Sequence, residues 1–557
     1  MLPVCEKVRE RNTLVLYIRY YGRHRTTAWA LFMRRLIGIS VLLALGSGSA
    51  STTQLAQPEQ STSTYFGGEQ KLEAALNRVI NQTPGAARNV ILFVGDGMSI
   101  PTVTASRIYA GQARGQTGEE YNLSFDSFPF AGLSRTYNTD AQTPDSAGTM
   151  TAMVTGVKTR AGVLSVGPGV QTGECASQSG RELMSILTLA ELAGKSTGIV
   201  STARITHATP AALYANTVNR DWENDAELSD EAKSHGCEDI ASQLLTYPAR
   251  ASAWTGKPID GPELVLGGGA ANFLPTNQDD SAFKGKRKDG RNLVSEWQNA
   301  DRQGAFVKDR SELEQLDQTD LPVLGLFQSS HMSYRADRPD ATSTEPSLAE
   351  LTEKAIELLS SEKGFFLMVE AGRIDHAHHA GSAVGALTDT VELSDAVARA
   401  RALTSDSDTL IIVTADHSHV MTMAGYPKRG NPILGKVVNI GEDEPKLAAD
   451  GAPYTTLSYA NGRGFAELGA ETNADVRYGL PVQGGRHLKH DTDTESPGYH
   501  QEALVPLSSE THGGDDVAIY ASGPGAHLLS GSLEQNVIFH VMRYMADLPH
   551  PPADAEK

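Results

Sequence analysis

Between positions 370 and 379 the sequence EAGRIDHAHH gathers Glu370, Asp375, His376, His378 and His379, directly behind the apolar run GFFLMV. Carboxylate with imidazole is the donor set that holds Zn²⁺, whereas carboxylate with hydroxyl suits Mg²⁺. Asp375 and His379 are four residues apart, so one helical turn presents both to a single ion. Asp416 and His417 in VTADHSHV are consecutive, and a sharp turn aims both at another. Asp96 in FVGDGMS, His207 and Thr209 in ITHATP, and His512 in ETHGG are of the same ligand type. Each has an ordinary reading alone: GDG is commonly a turn, ADH a helix N-cap, a His pair surface decoration. Their coincidence behind several apolar runs points to a metal centre.

The runs themselves, NVILFV (89–94), STGIVS (196–201), ELVLG (263–267), GFFLMV (364–369), DTLIIVTA (408–415) and DDVAIYA (515–521), are short and rich in β-branched residues. Helical patterns such as SLAELTEKAIELLSSE lie between many of them. Strands apolar on both faces, alternating with helices, predict a three-layer α/β/α sandwich around a large, mostly parallel central sheet. Such sheets bind ligands beyond the carboxyl ends of their strands. Asp96, Glu370 and Asp416 fall there, with His207 and Thr209 soon after STGIVS, but His512 is an exception because it precedes its strand. From about 424 to 505 the texture changes to Gly, Pro, Asn and Asp, which reads as an inserted subdomain. The catalytic domain is expected over 89–557, preceded by a polar tether and a helix over 69–80, within residues 51–88.

At the N-terminus, FMRRLIGISVLLALGSGSA places Arg34 and Arg35 before an apolar stretch, Leu36 to Leu45, that ends in small residues up to Ala50. This is the layout of a secretory signal peptide, too short for the ~20 apolar residues of a membrane span. Met33 stands where a conventional signal starts, and cleavage near Ala50 would release a periplasmic or secreted chain. No Cys follows for lipid attachment, and MADLPHPPADAEK offers no greasy tail, so no membrane anchor is expected. Residues 1–50 carry eight Lys/Arg and two Glu, so removing them takes the formal charge from −19 to about −25. That acidity argues against nucleic-acid partners, and an anionic substrate would need the local positive charge of bound cations. Cys175 and Cys237 remain after processing; in an oxidising compartment they suggest one disulfide rather than two buried thiols.

Two further segments carry chemistry. In TPDSAGTMTAMVTGVKT, Pro144 and Asp145 are helix-start residues, and Ser146 would sit at a helix N-terminus, where an anion is favoured. An N-cap serine is the ordinary alternative. No GxSxG surrounds it, which disfavours a Ser-His-Asp triad, so a metal ion would have to activate the hydroxyl. In YANTVNRDWEND, Arg220 is either a bidentate clamp for phosphate oxygens or a surface ion-pair residue.

Taken together, FVGDGMS, TPDSAGTMTA, ITHATPAALYANTVNRDW, VEAGRIDHAHH, VTADHSHV and ETHGGDDVAIYA closely resemble alkaline phosphatases in order and approximate spacing, from about residue 89 to about 545. The histidine-bearing forms are nearer the vertebrate and marine bacterial type than the enteric type, which typically has Asp where this chain has His207. The resemblance implies one zinc ion on Asp375, His379 and His512, and a second on Asp96, Asp416 and His417, with Ser146 as the ligand that attacks. It implies magnesium on Asp96, Thr209 and Glu370, with His207 nearby and linked through water. Arg220 would grip phosphate, His207 and His376 would face the substrate, and His376 and His378 would be outer supports of the metal ligands. A Cys175–Cys237 disulfide, a crown-like insertion over 424–505, and a homodimer using that insertion and the 69–80 helix are also implied. For the calcium of vertebrate members the pattern is incomplete. Gln328 stands where a Glu is expected and the acidic ligand near 275–280 does not align, while Phe327 and Glu345 are compatible, so calcium is left open. The implied reaction is hydrolysis of small phosphate monoesters of broad range, through a phosphoserine, releasing inorganic phosphate.

The nearest rival is a phosphodiesterase or sulfatase of the same superfamily. Sulfatases need a C/S-x-P-x-R context, whereas Ser146 is followed by AGTM, and diesterases of the group usually use Thr. A non-catalytic metal- or phosphate-binding scavenger would need the ligands but neither Ser146 nor Arg220.

Overall fold

A computed structural model describes residues 86–277, 283–300, 302–339, 342–483 and 488–551. The signal region, the tether and the helix expected over 69–80 lie outside them. Ten strands form one sheet: β1 (Asn89–Gly95), β2 (Phe130–Arg135), β3 (Ser196–Arg204), β4 (Leu264–Gly268), β5 (Ala305–Val307), β6 (Val323–Leu326), β7 (Phe365–Ala371), β8 (Thr409–Ala415), and, after seven short strands β9 to β15, β16 (Val517–Ser522) and β17 (Gly531–Glu534). Their order is β17-β2-β16-β8-β1-β7-β3-β4-β6-β5. From β8 to β5 every pairing is parallel, and among the described strands of this sheet β16 alone runs against its neighbours, β8 and β2.

Every residue of β1, β7 and β8 is buried, which is why these strands read as unbroken apolar runs rather than alternating ones. Alternate side chains feed two cores. Leu92 and Val94 pack with Ala147, Met150 and Met153 of the Ser146–Thr155 helix. Ile91 and Phe93 pack with Leu351 and Leu393 of the Leu348–Leu359 and Ala383–Leu403 helices on the other face. The three-layer sandwich expected from the sequence is therefore present.

Register brings the carboxyl ends of the central strands to one level. Gly95 of β1 pairs with Ala371 of β7 and Ala415 of β8, and Ser201 of β3 pairs with Glu370. Asp96, Glu370 and Asp416 consequently leave the sheet along a common edge. His512 joins them because β16 is reversed, so its amino end lies beside the carboxyl end of β8.

Outside this sheet, β9 (Ser418–His419) pairs antiparallel with β15 (His512–Gly513), setting His419 opposite His512. β10 (Met421–Met423), β11 (Leu457–Gly462) and β14 (Ala503–Pro506) form a three-stranded sheet, and β12 (Ala466–Glu467) with β13 (Tyr499–His500) a two-stranded one. The Gly- and Pro-rich stretch of the sequence lies among these short strands. Cys175 and Cys237 form a disulfide across 62 residues. No helix of the described residues is long and apolar enough to cross a membrane.

Candidate metal centre and active site

The Arg373–Ala380 helix starts directly after β7 and carries Asp375 and His379. His379 Nδ1 lies 2.6 Å from the Glu510 carbonyl oxygen, and His512 Nδ1 lies 2.8 Å from that of Pro144. A carbonyl only accepts, so each Nδ1 carries the proton and each Nε2 presents a lone pair. Yet the two Nε2 atoms stand 3.1 Å apart. Asp375 Oδ1 lies 3.4 Å from His379 Nε2 and 3.3 Å from His512 Nε2. Lone pairs converging in this way repel unless a cation lies between them. The edges match a tetrahedral Zn²⁺ site, where bonds of about 2.0–2.1 Å place ligands roughly 3.3 Å apart.

A second set meets the first. His417 Nδ1 lies 3.2 Å from the Ser418 carbonyl oxygen, which leaves Nε2 free. That nitrogen is 3.4 Å from Asp96 Oδ1, 3.3 Å from Asp416 Oδ2 and 3.2 Å from Ser146 Oγ. Asp145 caps the Ser146–Thr155 helix by accepting from Gly148 N, so buried Ser146 is the first helical residue. The His417 and His512 rings stack at 3.7 Å, and Asp96, Asp375 and His417 bring donor atoms within 4.8 Å of one another, so the two sets share a wall. Gly97 has φ +67°, and a Cβ there would lie 2.2 Å from His419 Cδ2. The second glycine of GDG is thus required by packing against the centre as well as by its turn.

Asp96, His207 and Glu370 form a third group, again with donor atoms within 4.8 Å. Both oxygens of Asp96, Thr209 Oγ1, Glu370 Oε1 and His207 Nδ1 are buried and have no hydrogen-bond partner among the described residues. Leaving such groups unpaired costs about 1–3 kcal/mol each, and a divalent cation satisfies them together. Ser201 Oγ donates to the other oxygen of Glu370. Burial, reinforced by Asp416, Asp375 and Glu370, holds Asp96 well above the usual carboxylate range. Burial likewise pushes Glu370 up to about 7. At Asp375 burial is outweighed by His379 and His419, which hold it well below that range. Without cations, burial thus disfavours the charged forms of Asp96 and Glu370.

Arg220 Nη1 donates to Asp145 Oδ2 at 3.1 Å, and Nη2 lies 3.0 Å from His207 Nε2. Burial works against its charge, but Asp145 outweighs it and keeps the guanidinium protonated. His376 belongs to none of the donor sets. Its Nδ1 lies 3.1 Å from Arg373 Nη1, and its ring lies 4.0 Å from His331 and 5.4 Å from His207. His378 is wholly buried between Thr102 Oγ1, at 3.0 Å, and the Tyr459 hydroxyl, at 2.9 Å. It reaches the centre through the His419 ring, 4.9 Å away.

Two residues that the motifs did not single out complete the first set. His419 Nε2 lies 2.6 Å from Asp375 Oδ1, and its Nδ1 lies 2.5 Å from Glu510 Oε2. Burial opposes its charge, but Glu510 and Asp375 prevail and push His419 up to about 10. The available signal was spacing: His417 with His419, and Glu510 with His512, each repeat at two residues, the period of a strand. At the calcium pattern, Glu345 Oε1 accepts from Gln328 Nε2 at 2.8 Å and Ser333 Oγ at 2.7 Å, and Oε2 accepts from Ser333 N at 2.9 Å. Protein donors thus engage both oxygens of that carboxylate.

Fold and donor sets together describe a protein of the three-layer α/β class with a candidate metal centre at the carboxyl ends of its strands. Residues 87–548 match the family model described as alkaline phosphatase. The chain is 42% identical over 521 residues to the tissue-nonspecific isozyme of alkaline phosphatase from Felis catus, covering 91% of this chain and 93% of that one. It is also 42% identical over 503 residues to an alkaline phosphatase of Gadus morhua, covering 88% and 98%. Among solved structures, alkaline phosphatase from Thermus thermophilus shares the fold with a TM-score of 0.59 at 23% identity, covering 84% of this chain and 93% of that one. That from the Antarctic bacterium TAB5 gives 0.54 at 20% identity, covering 84% and 100%. The chain belongs to the alkaline phosphatase family, and it is a phosphatase.

Proposed function

We propose that this phosphatase hydrolyses small phosphate monoesters of broad range through a phosphoserine on Ser146, at a centre of two zinc ions and one magnesium ion. The observation that carries this reading is the pair of imidazole lone pairs 3.1 Å apart, with Ser146 Oγ 3.2 Å from His417 Nε2 in the adjoining donor set. Asp375, His379 and His512 would hold one zinc, and Asp96, Asp416 and His417 the other, with Ser146 beside them. Asp96, Thr209 and Glu370 would hold magnesium, with His207 near. Bound cations supply Lewis-acid polarisation and charge neutralisation for the serine and phosphoryl oxygens.

The chain's own residues do the rest. Ser146 Oγ is the nucleophile, placed at a helix start whose free amides favour an anionic group. Arg220, steadied by Asp145, donates to the equatorial phosphoryl oxygens, which bear charge in the transition state. As the Oγ–P bond forms, the bond from phosphorus to the leaving oxygen breaks. Water then cleaves Oγ–P, restoring the serine and releasing inorganic phosphate.

We read the chain further as exported and homodimeric. Its disulfide suits an oxidising compartment. Tyr426, Ile440 and Leu504 are each 80% exposed or more, which gives the 424–505 stretch apolar surface for a second copy to bury. The test compares p-nitrophenyl phosphate with bis(p-nitrophenyl) phosphate and traps the intermediate by acid quench. Preferred turnover of the monoester with labelled Ser146 is expected. Preferred turnover of the diester would make the protein a diesterase, and metal uptake without turnover a scavenger.

A further inference from the structure

Glu510 stands two residues before His512 and is 1% exposed. The reaction described above assigns it no part. Its backbone nitrogen donates to the His379 carbonyl oxygen at 3.0 Å, and its own carbonyl accepts from His379 Nδ1 at 2.6 Å. Its carboxylate accepts from Val420 N at 2.8 Å through Oε1 and from His419 Nδ1 at 2.5 Å through Oε2. His419 in turn reaches Asp375 Oδ1 at 2.6 Å, and the β9–β15 pairing sets it opposite His512. One residue therefore touches His379 directly, Asp375 through a single ring, and His512 through the two peptide bonds that flank Thr511.

We propose that Glu510 is a positioning residue for the Asp375–His379–His512 cation site. Its backbone turns His379 so that Nε2 faces the ion, and its carboxylate holds His419 as a clamp on Asp375 Oδ1. A metal ligand keeps its orientation only if its remaining hydrogen-bonding face is fixed, and loss of such a partner weakens metal binding about 10–100-fold. Both carboxylate oxygens of Glu510 are in use. An amide offers one acceptor in place of two, so Glu510→Gln leaves either Val420 N or His419 Nδ1 facing an NH₂ group. The backbone contacts to His379 survive that change, so the Asp375 arm alone loosens.

The inference rests on the reading that these residues hold a zinc ion, and the native chain is the control for that reading. Zinc affinity is measured by competition with a chelator for the native chain, Glu510→Gln and His419→Asn, alongside the visible absorption of each after loading with Co²⁺. In both variants one zinc is expected to bind roughly 10–100-fold more weakly, with altered Co²⁺ absorption and with turnover recovered at excess zinc. Native affinity and absorption in either folded variant, whatever its urea midpoint, overturn the proposal. If the native chain takes up no zinc at this site, the functional reading falls instead. His419→Asn keeps every Glu510 backbone contact and carries the test should Glu510→Gln not fold.

Discussion

Asp96→Asn removes a charge that the metal-free protein is better without and the metal-loaded protein needs. Asp96 is fully buried, neither of its oxygens is hydrogen-bonded, and one donor oxygen lies within 4.8 Å of a Glu370 oxygen. At that separation two negative charges repel by about 3.5 kcal/mol at an effective dielectric constant of ~20. Asp416 and Asp375 add to the repulsion, and without metal the protein escapes it by keeping a proton. The sign follows: the folded pKa is raised above the unfolded value of about 3.9, so the native state binds a proton that the unfolded chain has lost. The contribution of Asp96 to metal-free stability is fully present below about pH 4 and falls by up to about 1.4 kcal/mol per pH unit until the raised folded value is passed. Allowing for protonation and relaxation, Asp96→Asn should stabilise the chelated protein by about 1–3 kcal/mol at pH 8. With zinc and magnesium present, the same substitution removes a ligand shared by two donor sets. It should then lower stability and cut turnover by at least about 100-fold. Urea unfolding at pH 8, in chelator and in both cations, reads the two signs. Destabilisation in both conditions would show that the protein itself satisfies this carboxylate, and the argument for a cation at Asp96 would fail.

Ser146→Ala should keep its metal content but lose most turnover and all acid-stable phosphoenzyme, and a normal burst in that variant would remove Ser146 from the reaction. Arg220→Ala should raise the inhibition constant for inorganic phosphate roughly 10- to 150-fold, the worth of a charged hydrogen bond at about 1.5–3 kcal/mol. Metal content measured on the same sample should stay near native, and unchanged inhibition would exclude the clamp. Replacing Cys175 and Cys237 together by Ser opens a loop of 62 residues. Loop entropy sets the resulting loss at up to about 4 kcal/mol, read as a lower urea midpoint. An unchanged midpoint would mean that the link does not constrain the unfolded chain.

Much of the framework was legible because burial on both faces leaves a strong mark in sequence. The runs around Leu92, Met368 and Ile412 are unbroken apolar strands, and the polar residues that follow them are the ones the parallel register gathers at one edge. The four-residue spacing of Asp375 and His379 likewise survived into the helix it implied, and Asp145 caps the helix that Ser146 opens. His512 could not be placed by the same rule, since its position depends on β16 running against the sheet, which only the strand order reveals. Glu510 and His419 were hidden for a related reason: their two-residue repeats acquire meaning once β9 and β15 pair. His376 follows Asp375 directly in sequence, yet its ring turns toward Arg373 and His331, an orientation that spacing alone does not give. Gln328 is a case where one altered side chain was readable, and its amide does occupy the neighbourhood of Glu345.

Anomalous diffraction at the zinc absorption edge, on crystals of the metal-loaded protein, tests the central claim most directly. Two peaks are expected, each about 2.0–2.1 Å from its nitrogen donors. One should lie among Asp375, His379 and His512, the other among Asp96, Asp416 and His417 with Ser146 Oγ beside it. Peaks at other residues, or a Ser146 hydroxyl more than ~8 Å from both and so far beyond coordination length, would contradict it.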